Sequence, residues 1–418
     1  MRFAAFRNRD YALFWGSHVL SRMGSEMRTL AFSWHVYQLT GSKLALGIIG
    51  ACRCVPVLVF GLWGGLTADR FDRRRVLIAT QAFMGVVSTT LFFLTRAGLA
   101  TPLLIYAAVA LIATAAAFEN PARNSFIVNV LPRADLENGL ALNVMGWQSA
   151  TVLGPAVGGV LLAATSLKVL YAADAISFVP LIGVLWFIRA REVPAPPSPN
   201  APPAPRGLDA IADALRFLRT KPVLIHLMWI DFLATLFAGA LLLLPVFSDE
   251  VFHRGAQGLG WLMAAPAAGA VLSGAFLSSR PPIRRHGATL LGAVAVYGVS
   301  TAAFSLVSSF WVGVGLLAIS GASDAVSTVV RQVARQTIIP DDMRGRLNAV
   351  HMLFFVSGPQ LGELEAGALA EVTSARVSVL TGGLACLAMA LGVTLFTPSI
   401  RSLRIARPEP EPAPTPAT

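Results

Sequence analysis

Residues 65–75 read Gly65-Leu66-Thr67-Ala68-Asp69-Arg70-Phe71-Asp72-Arg73-Arg74-Arg75. Arg70, Arg73, Arg74 and Arg75 make a block of positive charge, yet the sequence on either side of it, 44–68 and 76–95, is almost wholly apolar. A spanning helix needs roughly 20 mostly apolar residues, so the block reads as a short charged turn between two membrane spans. Working outward from it, hydropathy predicts further spans at 11–38, 102–123, 138–165 and 169–188, then at 223–247, 259–279, 288–308, 311–332, 347–371 and 378–396. Composition agrees: of 418 residues, 55% are hydrophobic and 13% charged, about half the charged share of a soluble chain. The expected fold is an all-α integral membrane protein of 12 transmembrane helices, arranged as two six-helix bundles.

The net charge of +11 does not suggest a nucleic-acid binder, because lysines and arginines fall in short loops at alternate ends of the apolar segments rather than on one face. One side collects Arg2, Arg7, Arg9, the 70–75 block, Arg133, Arg280, Arg284, Arg285, Arg344 and Arg346. The other has Lys43, Arg96, Lys168, Arg254 and Arg376, one per loop. By the positive-inside rule the rich side is cytoplasmic, which places both termini and the middle segment inside a bacterial inner membrane. The predicted organisation is a bundle over 1–188, a proline-rich linker with an amphipathic helix over 189–221, a second bundle over 222–397 and a disordered tail over 398–418. That helix, 207–219, spaces Leu208, Ile211, Leu215 and Leu218 at helical intervals and is expected to lie on the inner face of the membrane. Cys52, Cys54 and Cys386 sit inside apolar segments and read as packing residues.

The halves repeat each other. Glu26 and Glu119 match Asp231 and Asp324 at an offset of 205; Gly154-Pro155 matches Gly358-Pro359 at 204; Arg123 and Arg331 each stand nine residues before a proline, at an offset of 208. A twofold repeat of six helices is the trace expected of a transporter whose halves rock about a central site.

The 65–74 stretch resembles the major facilitator superfamily signature G-x-x-x-D-R-x-G-R-R/K, with Asp72 in place of the second glycine. The resemblance implies that Gly65, Asp69, Arg70, Arg73 and Arg74 form a cytoplasmic gate that latches the halves when the inside is shut; the plainer reading is that the arginines only enforce topology. Val152 to Gly159 in the fifth span is similar to the antiporter motif of exporters in that superfamily, with Ala150 where its first glycine would stand. Gly154, Pro155, Gly158 and Gly159 there, and Gly358, Pro359 and Gly362 in the eleventh span, suit either a bending helix or simple close packing. The 340–350 stretch and the eleventh-span glycines resemble the enterobactin-exporter and multidrug-efflux branch. That resemblance implies export of a drug-like or siderophore-like molecule, with a small-solute importer or a lysophospholipid flippase as alternatives on the same fold.

Ionisable groups inside a bilayer cost several kcal/mol and are functional candidates by default. The helices that would line a central cavity, the first, fourth, seventh and tenth, carry Glu26, Glu119, Asp231 and Asp324. Glu26 follows Arg22 by one turn and Glu119 precedes Arg123 by one turn, so each pair can neutralise itself. Asp231 and Asp324 have no arginine one turn away, which makes them, with Glu26, the candidates for proton coupling. Arg53 either faces the cavity or snorkels outward; Glu363 and Glu365 are further intramembrane carboxylates, and Asp174 is expected near the outer interface. No phosphate-cradling loop, hydrolase motif or metal-ligand cluster is present, so neither an ATP-driven pump nor an enzyme is expected, and no cofactor is implied. The expected partners are a small-molecule substrate, protons and membrane lipid, with no nucleic acid and a monomeric chain.

Overall fold

Asn8 begins the first long helix by accepting hydrogen bonds from the Asp10 and Tyr11 amides, and Gly41, at φ +61°, ends it in a left-handed turn that only glycine adopts without strain. Ser42 caps the next helix in the same way, and Thr101 with Pro102 opens the fourth. In this computed structural model, which describes residues 4–132, 135–188, 208–237, 240–281, 283, 285–340 and 343–403, such punctuation yields an all-helical chain. The first half holds α1 (Arg9–Thr40), α2 (Lys43–Arg70), α3 (Arg73–Arg96), α4 (Pro102–Val130), α5 (Leu136–Ala164) and α6 (Leu167–Phe187). The remainder holds α7 (Leu208–Thr220), α8 (Pro222–Phe237), the short α9 (Leu244–Val246), α10 (Gly255–Ser278), α11 (His286–Leu306), α12 (Phe310–Ile338), α13 (Arg344–Val372), α14 (Ala375–Phe396) and α15 (Pro398–Arg401). The linker before 208 and the tail after 403 lie outside the described residues.

Nine of these helices are long and apolar enough to cross a membrane: α2 to α6, α10 to α12 and α14. The other three elements read as spans in the sequence differ for visible reasons. α1 carries Arg9, Asp10, Arg22, Glu26 and Arg28; α13 carries Glu363, Glu365 and Glu371; and α8 has only 16 residues before the chain changes to short turns over 240–251.

Within the first half α1 packs on α5 and α6, α2 on α4, and α3 on α4 and α6. Within the second, α10 packs on α12, α11 on α12 and α14, and α13 on α8 and α14. Two helix pairs make the main described contacts between the halves: α2 with α13, and α5 with α10. Both rely on facing glycines, since a Cβ at Gly159 would stand 2.6 Å from the Gly260 Cα, and one at Gly367 would stand 2.8 Å from the Gly47 Cα. Those contacts lie toward the end of the molecule opposite to Asn8 and Ser402, called here the far end. There Tyr37 donates to Asp249 and Glu250 (3.3 and 3.0 Å), and Glu371 accepts from the Lys43 and Leu44 amides (2.7 and 3.0 Å).

The amphipathic helix α7 does more than lie on a surface. Leu218 is buried against Leu224, Met228, Leu347 and Val350, so α7 is packed onto α8 and α13.

Asp72, the departure from the signature glycine, is the N-cap of α3: its carboxylate accepts from the Arg74 amide at 2.9 Å and lies 3.7 Å from Arg75. Asp72→Ala is expected to cost about 1 kcal/mol of stability, whereas Asp72→Asn leaves it nearly unchanged; thermal unfolding in detergent reads the difference.

Candidate functional site

Two arginine-centred clusters occupy corresponding positions in the two halves. In the first half, Arg22 pairs with Glu26 at 2.9 Å and its guanidinium lies 3.7 Å from the centroid of the Trp147 ring. Next to it, Arg123 lies 3.6 Å from Glu119, donates to Asn120 Oδ1 at 3.0 Å, comes within 3.4 Å of His18 Nε2, and faces the same Trp147 ring at 5.4 Å. Trp147 therefore joins α1 and α4 to α5 through two cation–π contacts. Gly154 and Gly158 make this close approach possible, because their missing side chains leave room for Glu26 and Met27 on α1.

In the second half a single cation serves two carboxylates. Arg331 on α12 reaches Asp231 on α8 at 2.7 Å and Asp324, two turns back on its own helix, at 3.8 Å. It also donates to Ser327 Oγ and, at 2.9 Å, to Thr328 Oγ1. Asp231 and Asp324 have no arginine one turn away, yet both meet Arg331: a neighbour search limited to one turn misses both a residue seven positions away and one on another helix. Gly358 and Gly362 seat α8 against α13 as Gly154 and Gly158 seat α1 against α5, with Thr235, Phe232 and Leu236 as their neighbours. Trp229, Phe232 and Phe354 form an edge-to-face trio across the same helix pair, with centroids 5.6 to 5.9 Å apart. Asp324 also faces a cavity of about 100 Å³.

Among the described residues, two further ion pairs that join separate helices lie outside these clusters. Arg53 and Glu363, both candidates for the cavity or for an ion pair, lie 3.7 Å apart across the α2–α13 seam, a contact between the halves. Glu365, by contrast, is exposed. Asp174, expected near the outer interface, is fully buried: Arg28 Nη1 and Ser88 Oγ both donate to its Oδ2 at 2.5 Å, tying α1, α3 and α6 together. The signal for that pair was present in the sequence, since Arg28 and Asp174 are intramembrane charges with no opposite charge one turn away on their own helices. Opposite charges left over in separate spans belong together.

At the charged turn, the Asp69 side chain lies outside the described residues and Arg70 is exposed. Arg74 donates through Nε to the Leu185 carbonyl at 2.5 Å and through Nη2 to the Trp186 carbonyl, which places a cation on the C-terminus of α6 within the same half. Among the described residues no group of three or more His, Cys, Asp or Glu is placed to hold a metal ion.

The family model described as "Transmembrane secretion effector" matches residues 1–413. The chain belongs to this family of major facilitator transporters. Within it, the multidrug efflux pump Tap of Mycobacterium bovis (strain BCG) is 28% identical, the alignment covering 93% of each chain. The enterobactin exporter EntS of Citrobacter koseri is 26% identical, covering 89% of this chain and 86% of that protein. The solved nucleoside transporter NupG superimposes with a TM-score of 0.74 at 13% identity, over 92% of this chain and 98% of that one, and shows the fold alone. The chain is thus a multi-pass membrane transporter, and a small molecule is what transporters of this superfamily carry.

Proposed function

We propose that this transporter exports a small amphipathic molecule, drug-like or siderophore-like, in exchange for protons, by alternating access between two six-helix bundles of a twelve-span chain. The observation that carries the reading is the placement of carboxylates on α1, α4, α8 and α12, gathered around arginines at corresponding positions of both halves. Such buried groups are costly unless paired, and a paired carboxylate that can release its arginine and take a proton gives the transporter two states to alternate between. In this reading Glu26, Asp231 and Asp324 are the coupling candidates. Trp147 and the Trp229–Phe232–Phe354 trio offer ring surfaces to a planar apolar substrate. Both termini lie in the cytoplasm, 1–188 and 222–397 are the moving bodies, and 189–221 joins them. With the far end sealed by the Gly159–Gly260 and Gly47–Gly367 contacts and the Arg53–Glu363 pair, the conformation is one that receives substrate from the cytoplasm. The names of the Tap and EntS relatives support export, and the chain acts as a monomer.

Reconstituted protein under an imposed pH gradient is expected to move fluorescent drugs or a catecholate siderophore. Asp231→Asn, Asp324→Asn or Glu26→Gln is expected to abolish the gradient-driven component by uncoupling it from protons. Movement of none of these compounds, with lysophospholipid moved instead, would replace the reading with a lipid flippase.

A further inference from the structure

The cavity beside Asp324 is lined by Leu244, Pro266, Tyr297, Thr301, Ser320 and Asp324, with further apolar side chains between them. Every lining residue belongs to the second half of the chain. Chain direction fixes where the cavity lies relative to Asp324. α12 starts at the far end, so Leu317, Ser320 and Gly321 lie farther out than Asp324; α11 runs toward that end, so Thr301 and Phe304 lie farther out than Tyr297; and Val379 is four residues into α14, which also starts there. On the opposite side of Asp324, Arg331 lies seven residues on, about 10 Å along the helix. Asp324 therefore stands between a cavity that extends toward the far end and an ion pair on the side of the opposite end.

We propose that this cavity is a hydrated proton entry, which delivers protons from the far side of the membrane to the Asp324 carboxylate by a route inside the second half, separate from the path between the halves. The inference rests on the proton-coupled reading above and adds to it the route and the direction of access. A polar cavity holds water once it offers about 10–15 Å³ to the water's centre and two to four polar partners. Here about 100 Å³ is available, and Tyr297, Thr301, Ser320 and Asp324 are the polar residues among those that line it. The Asp324 side chain keeps 45% of its surface exposed, whereas its partners Asp231 and Arg331 keep 4% and 6%, so it is the least enclosed member of the cluster. The charged and titratable groups around it are Arg331 and, beyond it, Arg335 on α12, Asp231 on α8, Tyr297 on α11, Cys386 on α14 and His351 on α13; α9 and α10 contribute none. With the Arg331 guanidinium only 3.8 Å away, a second fixed cation such as sodium is disfavoured beside Asp324, while a proton is accepted by forming one O–H bond. The proton comes from water in the cavity and leaves toward the Asp231–Arg331 side, so charge and atoms balance over a cycle.

The test is Ser320→Leu, which fills the cavity, compared with Ser320→Cys in a background where Cys52, Cys54 and Cys386 are alanine. Ser320→Leu is expected to cut pH-gradient-driven transport about tenfold or more while leaving substrate exchange without a gradient within about twofold. A small membrane-impermeant thiol reagent added from the far side is expected to label Ser320→Cys and to reproduce that selective loss. Full gradient-driven transport in Ser320→Leu, or no labelling of Ser320→Cys from that side, overturns the proton entry and leaves the proton-coupled reading standing. If Ser320→Leu loses both transport modes, the labelling result decides. A wild-type protein that responds to a sodium gradient and not to a pH gradient overturns the coupling reading itself.

Discussion

Arg331→Met is expected to abolish gradient-driven transport and to lower stability by about 3–5 kcal/mol, the usual cost of removing one partner of a buried ion pair. The arginine side chain is 6% exposed and the Asp231 side chain 4% exposed, so neither carboxylate nor guanidinium has water to fall back on. Without the cation, Asp231 and Asp324 are left close together with nothing of opposite sign between them, and the Ser327 and Thr328 hydroxyls lose the donors they accept from. Arg331→Lys separates charge from shape. A lysine restores one positive charge but lacks the planar fork that addresses two carboxylates and two hydroxyls together, so it is expected to recover most of the stability and only part of the transport. In Asp231→Asn/Arg331→Met the more buried of the two stranded charges is gone and only the Asp324 carboxylate is left without its arginine, so most of the stability is expected to return while transport does not. Thermal unfolding in detergent, run beside proteoliposome transport, reads both quantities; a single Arg331→Met protein as stable as wild type would show that the cluster does not hold α8 to α12.

How much of this was legible in the sequence depended on distance along the chain. The pairs Arg22–Glu26 and Glu119–Arg123 are one turn apart, and helical geometry alone predicts them. The Arg331–Asp231 and Arg53–Glu363 pairs join helices far apart in sequence, and no periodicity encodes which span faces which. The glycine motifs behaved in between. Their positions were visible, but their meaning, Gly154 and Gly158 seating α1 while Gly159 meets Gly260 of the other half, required the packing. The repeat helped more than any single motif, since the offset between Glu119 and Asp324 foretold that both halves would hold a carboxylate at the same depth, though not that one arginine would serve two of them.

The contacts between the halves also explain why the charged turn left less trace than its motif suggests. The described contacts that join the halves, from Tyr37–Asp249 to Arg53–Glu363, lie toward the far end, whereas the 65–75 turn lies at the other. There Asp72 caps α3 and Arg74 caps α6, both within the first half. In the structure Asp72 and Arg74 thus hold their own bundle together.

Asp174→Ala is expected to destabilise the first half by about 3–5 kcal/mol without altering the proton dependence of whatever transport survives. Asp174 has no exposed surface, and its Oδ2 accepts from both Arg28 and Ser88. Removing it strands the Arg28 guanidinium between the Phe32 and Phe178 rings, at 6.0 and 5.8 Å, where only weak cation–π attraction remains to offset its burial. Asp174→Asn keeps the Ser88 contact and is expected to lose less. In Arg28→Leu/Asp174→Leu the site becomes apolar throughout, and buried pairs replaced in this way commonly end neutral or more stable. That variant is expected to regain wild-type unfolding temperature and to keep its transport, because the pair faces neither the seam between the halves nor the cavity at Asp324. Recovery of stability with loss of transport would instead make Arg28 and Asp174 working members of the transport machinery, a third charged cluster beside those at Arg123 and Arg331.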